Sequence, residues 1–263
     1  MGSLYYKGPN ERNQLIASVE GDKLPLLDLR SMVVYQVFIP GFIDIMDSEY
    51  YFFQLVNRIP YFTSLGINTI ELFPVEQYTC HTLSSDCNCW DKLSIEYPGI
   101  VNFYFGSSSL FRDFVSRLHQ NGIRVLLEVS WALFDATSVL YDNDCADDWG
   151  SFFKEGVSSR VDGRAKLDLN SLKQTGNYVK KVLARWRNEV GVDGIVWNDA
   201  GCLLYTGQGC LEGMGVMDLD AIALLRELQT SSDYVHVQWF LVIMTVDKRL
   251  QGRFVVVSVL RRV

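Results

Sequence analysis

Gly191-Val-Asp-Gly-Ile-Val-Trp-Asn-Asp-Ala-Gly201 is the stretch from which the fold of this chain is read. Ahead of it, Tyr178 to Val190 is helical in pattern, and Gly191 stands where a helix-ending glycine belongs. Inside it, Asp193 to Trp197 is a short apolar run with the signature of a buried strand. Beyond it, Asp218 is an N-cap candidate for a helix running to Gln229.

The same order of helix, glycine and strand recurs upstream. Val33 to Ile39 is a β-branched and aromatic run stopped by Pro40-Gly41. Glu49 to Leu65 predicts a helix closed by Gly66, followed by a strand over Thr69 to Val75. Leu110 to Gln120 predicts a helix closed by Gly122, followed by a strand over Arg124 to Val129. Downstream, Val235 to Val246 reads as a fifth strand and Phe254 to Leu260 as a sixth. Strands alternating with helices call for parallel βαβ units. The expected class is α/β, of the (β/α)8 TIM-barrel type, incomplete at five or six strands. A doubly wound open sheet is the competing architecture. No Gly-x-Gly-x-x-Gly follows the first strand, so a nucleotide site has no support. The loops over 76–109 and 130–173 are long, and long loops at strand C-terminal ends are where barrels keep their sites. An incomplete sheet leaves an unpaired edge, which predicts a partner, self-association or poor solubility. Residues 1–31 read as a leader or the remnant of a missing N-terminal domain, and 32–263 as a partial barrel.

A formal charge of -7 argues against a nucleic-acid partner and against an anionic membrane surface; a neutral ligand is compatible with it. The start shows no signal peptide, myristoylation signal or transit peptide. The longest apolar run, Val235 to Val246, is too short for a bilayer. Of the six cysteines, Cys80, Cys87 and Cys89 lie with His81 in one segment; Cys145, Cys202 and Cys210 are scattered. The Cys-x-Cys spacing is tighter than a zinc knuckle, so ordinary free thiols are expected rather than zinc, and no cofactor or metal is assigned.

The central stretch resembles the fourth barrel strand of the α-amylase superfamily, glycoside hydrolase family 13, which reads roughly Asp-Gly-Phe-Arg-x-Asp-x-Ala. Val34-Tyr-Gln-Val-Phe38 is similar to the opening strand of those enzymes, Tyr61 to Val75 to their second unit and His119 to Val129 to their third. Leu169-Asn170, Trp186 and Leu219 to Ala223 are most similar to the isoamylase and branching-enzyme side of the family. Leu126-Leu-Glu-Val129 resembles a noncatalytic isoamylase isoform of starch-making plants. That resemblance implies an α-glucan ligand (starch or glycogen), a hetero-oligomer with an active isoamylase, and a plastid location; without it the cytoplasm is expected.

Against the family pattern, Asp193 and Gly194 match, but Val196 stands at the position of the Arg and Asn198 at that of the nucleophile. An amide cannot serve as a carboxylate nucleophile. Glu128 stands for the Asp of the third strand, while Ala132 and Leu133 replace its Asn and His. The general acid expected at the end of the fifth strand is missing, and Asp247 is the nearest carboxyl. No intact catalytic set is therefore expected. Asp199, Glu128 and Asp247 are the fallback carboxylates, although Asp199 faces away from the barrel axis unless a bulge intervenes. Glu128 suits a sugar hydroxyl, a cation or a hydrogen-bonded strand end equally well. Trp90, Tyr97, Trp131 and Trp197 are candidate sugar-stacking rings, with core packing as the alternative. His119 is read as a helix-surface or packing residue and Asp193 as a structural strand-entry residue. Three readings follow: a catalytically degenerate glucan-binding or regulatory domain, an active but divergent glycosidase or transglycosylase, or a truncated product without function.

Overall fold

The computed structural model of the chain describes residues 24, 31–43, 51–80, 93–142, 152–154, 160–161, 164–170, 172, 174–198, 200–206, 216–230, 240–246 and 254–259. Its strands are β1 (Val34–Phe38), β2 (Thr69–Phe73), β3 (Glu76–Cys80), β4 (Leu93–Val101), β5 (Arg124–Val129), β6 (Leu133–Phe134), β7 (Arg160–Val161), β8 (Arg164–Lys166), β9 (Gly194–Trp197), β10 (Phe240–Val246) and β11 (Phe254–Val259). Its helices are α1 (Ile39–Phe42), α2 (Tyr51–Asn57), α3 (Ile59–Ser64), α4 (Ser108–Gln120), α5 (Val139–Asp142), α6 (Gln174–Arg185), α7 (Gly201–Leu204) and α8 (Leu219–Thr230). A π-helical turn, Trp186–Val190, continues α6.

The main sheet runs β1-β2-β5-β9-β10-β11, with every pair parallel except β10 and β11. The order follows the chain and never reverses. A doubly wound sheet needs such a reversal, so the competing architecture is set aside and the fold is a partial α/β barrel. The sixth strand differs from expectation: β11 returns antiparallel along β10, as a hairpin partner and not as another βα unit.

Side-chain alternation gives the sheet two unlike faces. Val37, Leu72, Val125, Leu127, Val129, Ile195 and Trp197 point to one side. They share a continuous core with Phe52, Phe62, Phe111, Phe114, Leu183 and Trp186 of the helical layer. Gln36, Glu71, Leu126, Glu128 and Val196 occupy the other, inner side. Leu126 and Val196 are buried yet stand apart from the helix-side core.

Several boundaries moved for identifiable reasons. The single helix expected over 49–65 is two, α2 and α3, with Arg58 between them. Pro60 has no N–H for an interior turn but fits the first turn of a new helix. Helix α4 begins earlier than expected because Ser107 caps it, its side chain accepting from the Leu110 N–H at 3.2 Å. The helix before the central stretch widens to π geometry before Gly191 takes φ 92° and closes it. The first long loop contains the antiparallel β3–β4 hairpin, and the second a small sheet ordered β6-β8-β7. Cys202 is disulfide-bonded, which corrects the expectation of free thiols. Among the described residues, no helix is long and apolar enough to cross a membrane.

Candidate functional site

The inner face at the C-terminal ends of β5 and β9 is where the sequence places its site. Asn198 directly follows β9, and its N–H donates to the Val129 carbonyl at 2.9 Å, extending the β5–β9 ladder by one step. Alternation from Gly194 and Val196 therefore sets Asn198 on the inner face with Glu128, whose register partner is Val196. That inner-face position thus holds a half-buried amide, with an aliphatic side chain two residues before it.

Glu128 belongs to a cluster that the sequence reading did not assemble. Gln36 Nε2 donates to Glu71 Oε1 at 2.8 Å and to Glu128 Oε2 at 3.0 Å. The two carboxyls therefore lie side by side around one donor. Burial pushes the Glu71 carboxyl above its usual range, while the bonds to Glu128 and Gln36 oppose the shift. A sequence signal existed: Gln36 and Glu71 are lone polar residues in otherwise apolar strand runs, and such residues seldom sit inside without a partner. A retaining glycosidase needs its two carboxyls about 5–5.5 Å apart with a sugar between them. Glu71 and Glu128 both accept from one amide nitrogen, so Gln36, not a sugar, stands between them.

A second buried carboxyl lies under the loops. Glu76, 1% exposed, accepts from the Gly99 N–H at 2.6 Å, Trp131 Nε1 at 2.5 Å and Trp186 Nε1 at 3.3 Å. Burial raises its pKa to about 7 against those three donors and the nearby Arg185 guanidinium. Arg185 also donates to the Gly99 carbonyl. Glu76 thereby ties the β3–β4 hairpin to the helical layer and to the segment after β5.

The candidate rings separate. Trp131 and Trp197 are buried, at 2% and 0% exposed, and pack edge to face at 5.5 Å between centroids. Neither offers a face to a sugar, and core packing accounts for both. Tyr97 on β4 is exposed, as are Phe103 and Tyr104 just beyond the hairpin. Trp90, Asp199 and Asp247 lie outside the described residues, as do His81, Cys87 and Cys89 of the cysteine-rich segment. Among the described residues, no group of three His, Cys, Asp or Glu side chains is arranged to hold a metal ion. Ala132 and Leu133 are buried in the helix-side core. His119 is also buried, its Nε2 at 2.8 Å from Asp193 Oδ2, which accepts the Val125 N–H at 2.8 Å as well. The helix-surface option for His119 is thus replaced by a buried polar contact fixing the entry to β9.

No family model matches the chain. By sequence it is 29% identical over 194 residues to the 1,4-alpha-glucan branching enzyme GlgB of Nitratidesulfovibrio vulgaris, covering 65% of this chain and 27% of that protein. It is 24% identical over 244 residues to the chloroplastic isoamylase 3 of Oryza sativa subsp. japonica, covering 78% of this chain and 29% of that protein. The chain thus spans between a quarter and a third of the length of these relatives. By fold it matches the maltogenic α-amylase AmyB of Thermotoga neapolitana with a TM-score of 0.63 at 17% identity, over 86% of this chain and 48% of that one. It matches apo pullulanase from Paenibacillus barengoltzii with a TM-score of 0.61 at 14% identity, over 85% of this chain and 37% of that one. Sequence likeness to branching enzymes and an isoamylase supports assigning this chain to the α-amylase family, on its isoamylase and branching-enzyme side, and the likeness to solved amylases is one of fold.

Proposed function

We propose that this chain is an α-glucan-binding domain of the α-amylase family that does not itself cleave or transfer glucan, acting as a binding or regulatory subunit beside an active isoamylase-type enzyme. The glucan part rests on the named activities of the branching-enzyme and isoamylase relatives. One observation carries the inactive part: the inner-face position after β9 holds Asn198, preceded on the same face by Val196. Groups that act as a catalytic unit lose nearly all rate when one is removed, and here the nucleophile and its orienting cation are both replaced. The inner-face carboxyl pair gives no substitute, because Gln36 Nε2 stands between Glu71 and Glu128, bonded to both. Exposed Tyr97 is the candidate glucan contact among the described aromatic residues that the sequence singled out.

The test is a pair of measurements on purified protein. Glycogen, amylopectin and maltooligosaccharides are expected to bind but not to turn over. Turnover abolished by Asp199→Ala would overturn the inactive reading and favour a divergent glycosidase or transglycosylase. Absence of binding to all three glucans would overturn the glucan-binding reading.

A further inference from the structure

Exposed aromatic rings gather on one part of the β3–β4 hairpin. Phe103 and Tyr104, just beyond β4, are 60% and 66% exposed, and Tyr97 on β4 is 42% exposed. Single exposed rings are ordinary on a protein surface, but adjoining ones mark binding sites. Phe103 and Tyr104 adjoin, with ring centroids 4.0 Å apart and 37° between their planes. Gln77 of β3 links them to Tyr97. It is the register partner of Tyr97, and its side-chain carbonyl accepts the Phe103 N–H at 3.3 Å.

The turn that displays the pair is anchored on both sides by buried residues, Asn102 and Phe105. The Asn102 N–H donates to the Val75 carbonyl at 2.9 Å, and the Asn102 side chain accepts the Tyr104 N–H at 3.0 Å. The Phe105 carbonyl accepts the Phe52 N–H of α2 at 3.2 Å, and the Phe105 ring stacks on Tyr51 at 5.1 Å. Anchors inside and rings outside make a preorganised platform, which lowers the ordering cost of binding. The hairpin directly follows β2, so the platform stands at the C-terminal end of the parallel strands, where barrels keep their sites.

We propose that Tyr97, Phe103 and Tyr104 form a shelf on which an α-glucan chain stacks its sugar rings. This rests on the glucan-binding function proposed for the domain and adds where the glucan is held. A glucose unit is neutral, with apolar C–H faces and a rim of hydroxyls. Aromatic faces match the first. The Gln77 amide, the Glu96 carboxyl to which it donates at 3.4 Å and the two phenol groups offer partners for the second. The chain's formal charge of -7 disfavours an anionic ligand on the same shelf. A stable protein interface takes about 20–30 residues a side, far more than this shelf supplies.

Calorimetric titration with maltoheptaose and affinity electrophoresis in glycogen test the shelf on the whole chain. Tyr97→Leu, Phe103→Leu and Tyr104→Leu keep an apolar side chain but remove the flat face, whereas Tyr104→Phe keeps the ring. Each leucine variant should bind about tenfold more weakly than the wild type, and Tyr104→Phe should stay within about threefold. Urea unfolding identifies the variants that fold, and any one leucine variant that folds carries the comparison. Folded leucine variants that bind as tightly as the wild type overturn the shelf and leave the glucan-binding function standing. Equal weakening in Tyr104→Phe and Tyr104→Leu also overturns it, because the contact then belongs to the hydroxyl and not to the ring face. A wild type that binds neither glucan overturns both.

Discussion

Replacing Glu76 with glutamine sets two physical effects against each other. Three N–H donors converge on this carboxyl, from Gly99, Trp131 and Trp186, which favours the ionised form. Complete burial favours the neutral form, and the balance places the pKa at about 7, above the usual 4.5. The sign follows from that direction. The contribution of a raised carboxyl is full below about pH 4.5 and is lost as pH climbs through about 7. A shift of that size corresponds to about 3 kcal/mol. Glutamine keeps a carbonyl for Gly99 and Trp186, but its amide nitrogen cannot accept from Trp131, leaving one buried donor unpaired at a cost of about 2 kcal/mol at any pH. Urea unfolding at constant ionic strength, followed by tryptophan fluorescence, reads both. At pH 5 the variant should be about 2 kcal/mol less stable than the wild type, and by pH 8 that deficit should have disappeared. A deficit that widens from pH 5 to pH 8 refutes the reasoning, because it means that the three donors, not burial, set the charge on Glu76.

Two further perturbations have definite expectations. Asp218 caps α8 by accepting from the Asp220 and Ala221 N–H groups, and its other oxygen holds Lys154 at 2.5 Å. Asp218→Ala should cost about 3 kcal/mol, one for the cap and the rest for a largely buried ammonium that loses its carboxylate and keeps only the Leu203 carbonyl, while Asp218→Asn should recover the cap share; equilibrium unfolding measures both. Asp193→Ala removes the acceptor shared by His119 and the Val125 N–H, both buried, and should lower stability by about 2–4 kcal/mol with earlier exchange of the Val125 amide in native-state hydrogen exchange.

Much of the frame was legible because it rests on local rules. Glycine at helix ends and largely apolar runs located β2, β5 and β9 to within a residue or two, and their order in the chain gave their order in the sheet. What escaped depends on contacts distant in sequence. Gln36, Glu71 and Glu128 come from three strands, and no spacing within any one of them announces that they meet. The β3–β4 hairpin was hidden by irregular pairing, with bulges on either side of Gln77, so its alternation is broken in the sequence as well. Trp131 and Trp197 illustrate the ambiguity of an aromatic at a strand end: the same residue type serves a sugar platform or a core, and only burial decides.

The substitution at Val196 and the carboxyl pair beside it are two sides of one electrostatic arrangement. Glu128 is the register partner of Val196, so an arginine at 196 stands one strand spacing, about 4.8 Å, from a buried carboxyl. A guanidinium there favours the ionised form of Glu128, as an adjacent cation does for any carboxyl. Asn198→Asp alone works in the opposite sense. It adds a third carboxyl to a face that already holds two, and the new acid is pushed toward its neutral, non-nucleophilic form by burial and like charge. In titrations monitored by carboxyl carbon chemical shifts, the aspartate of the single variant should ionise above the ordinary carboxylate range. In Val196→Arg/Asn198→Asp it should ionise below that range. An aspartate at 198 that titrates normally in the single variant would show that the residue faces solvent rather than the inner carboxyl pair.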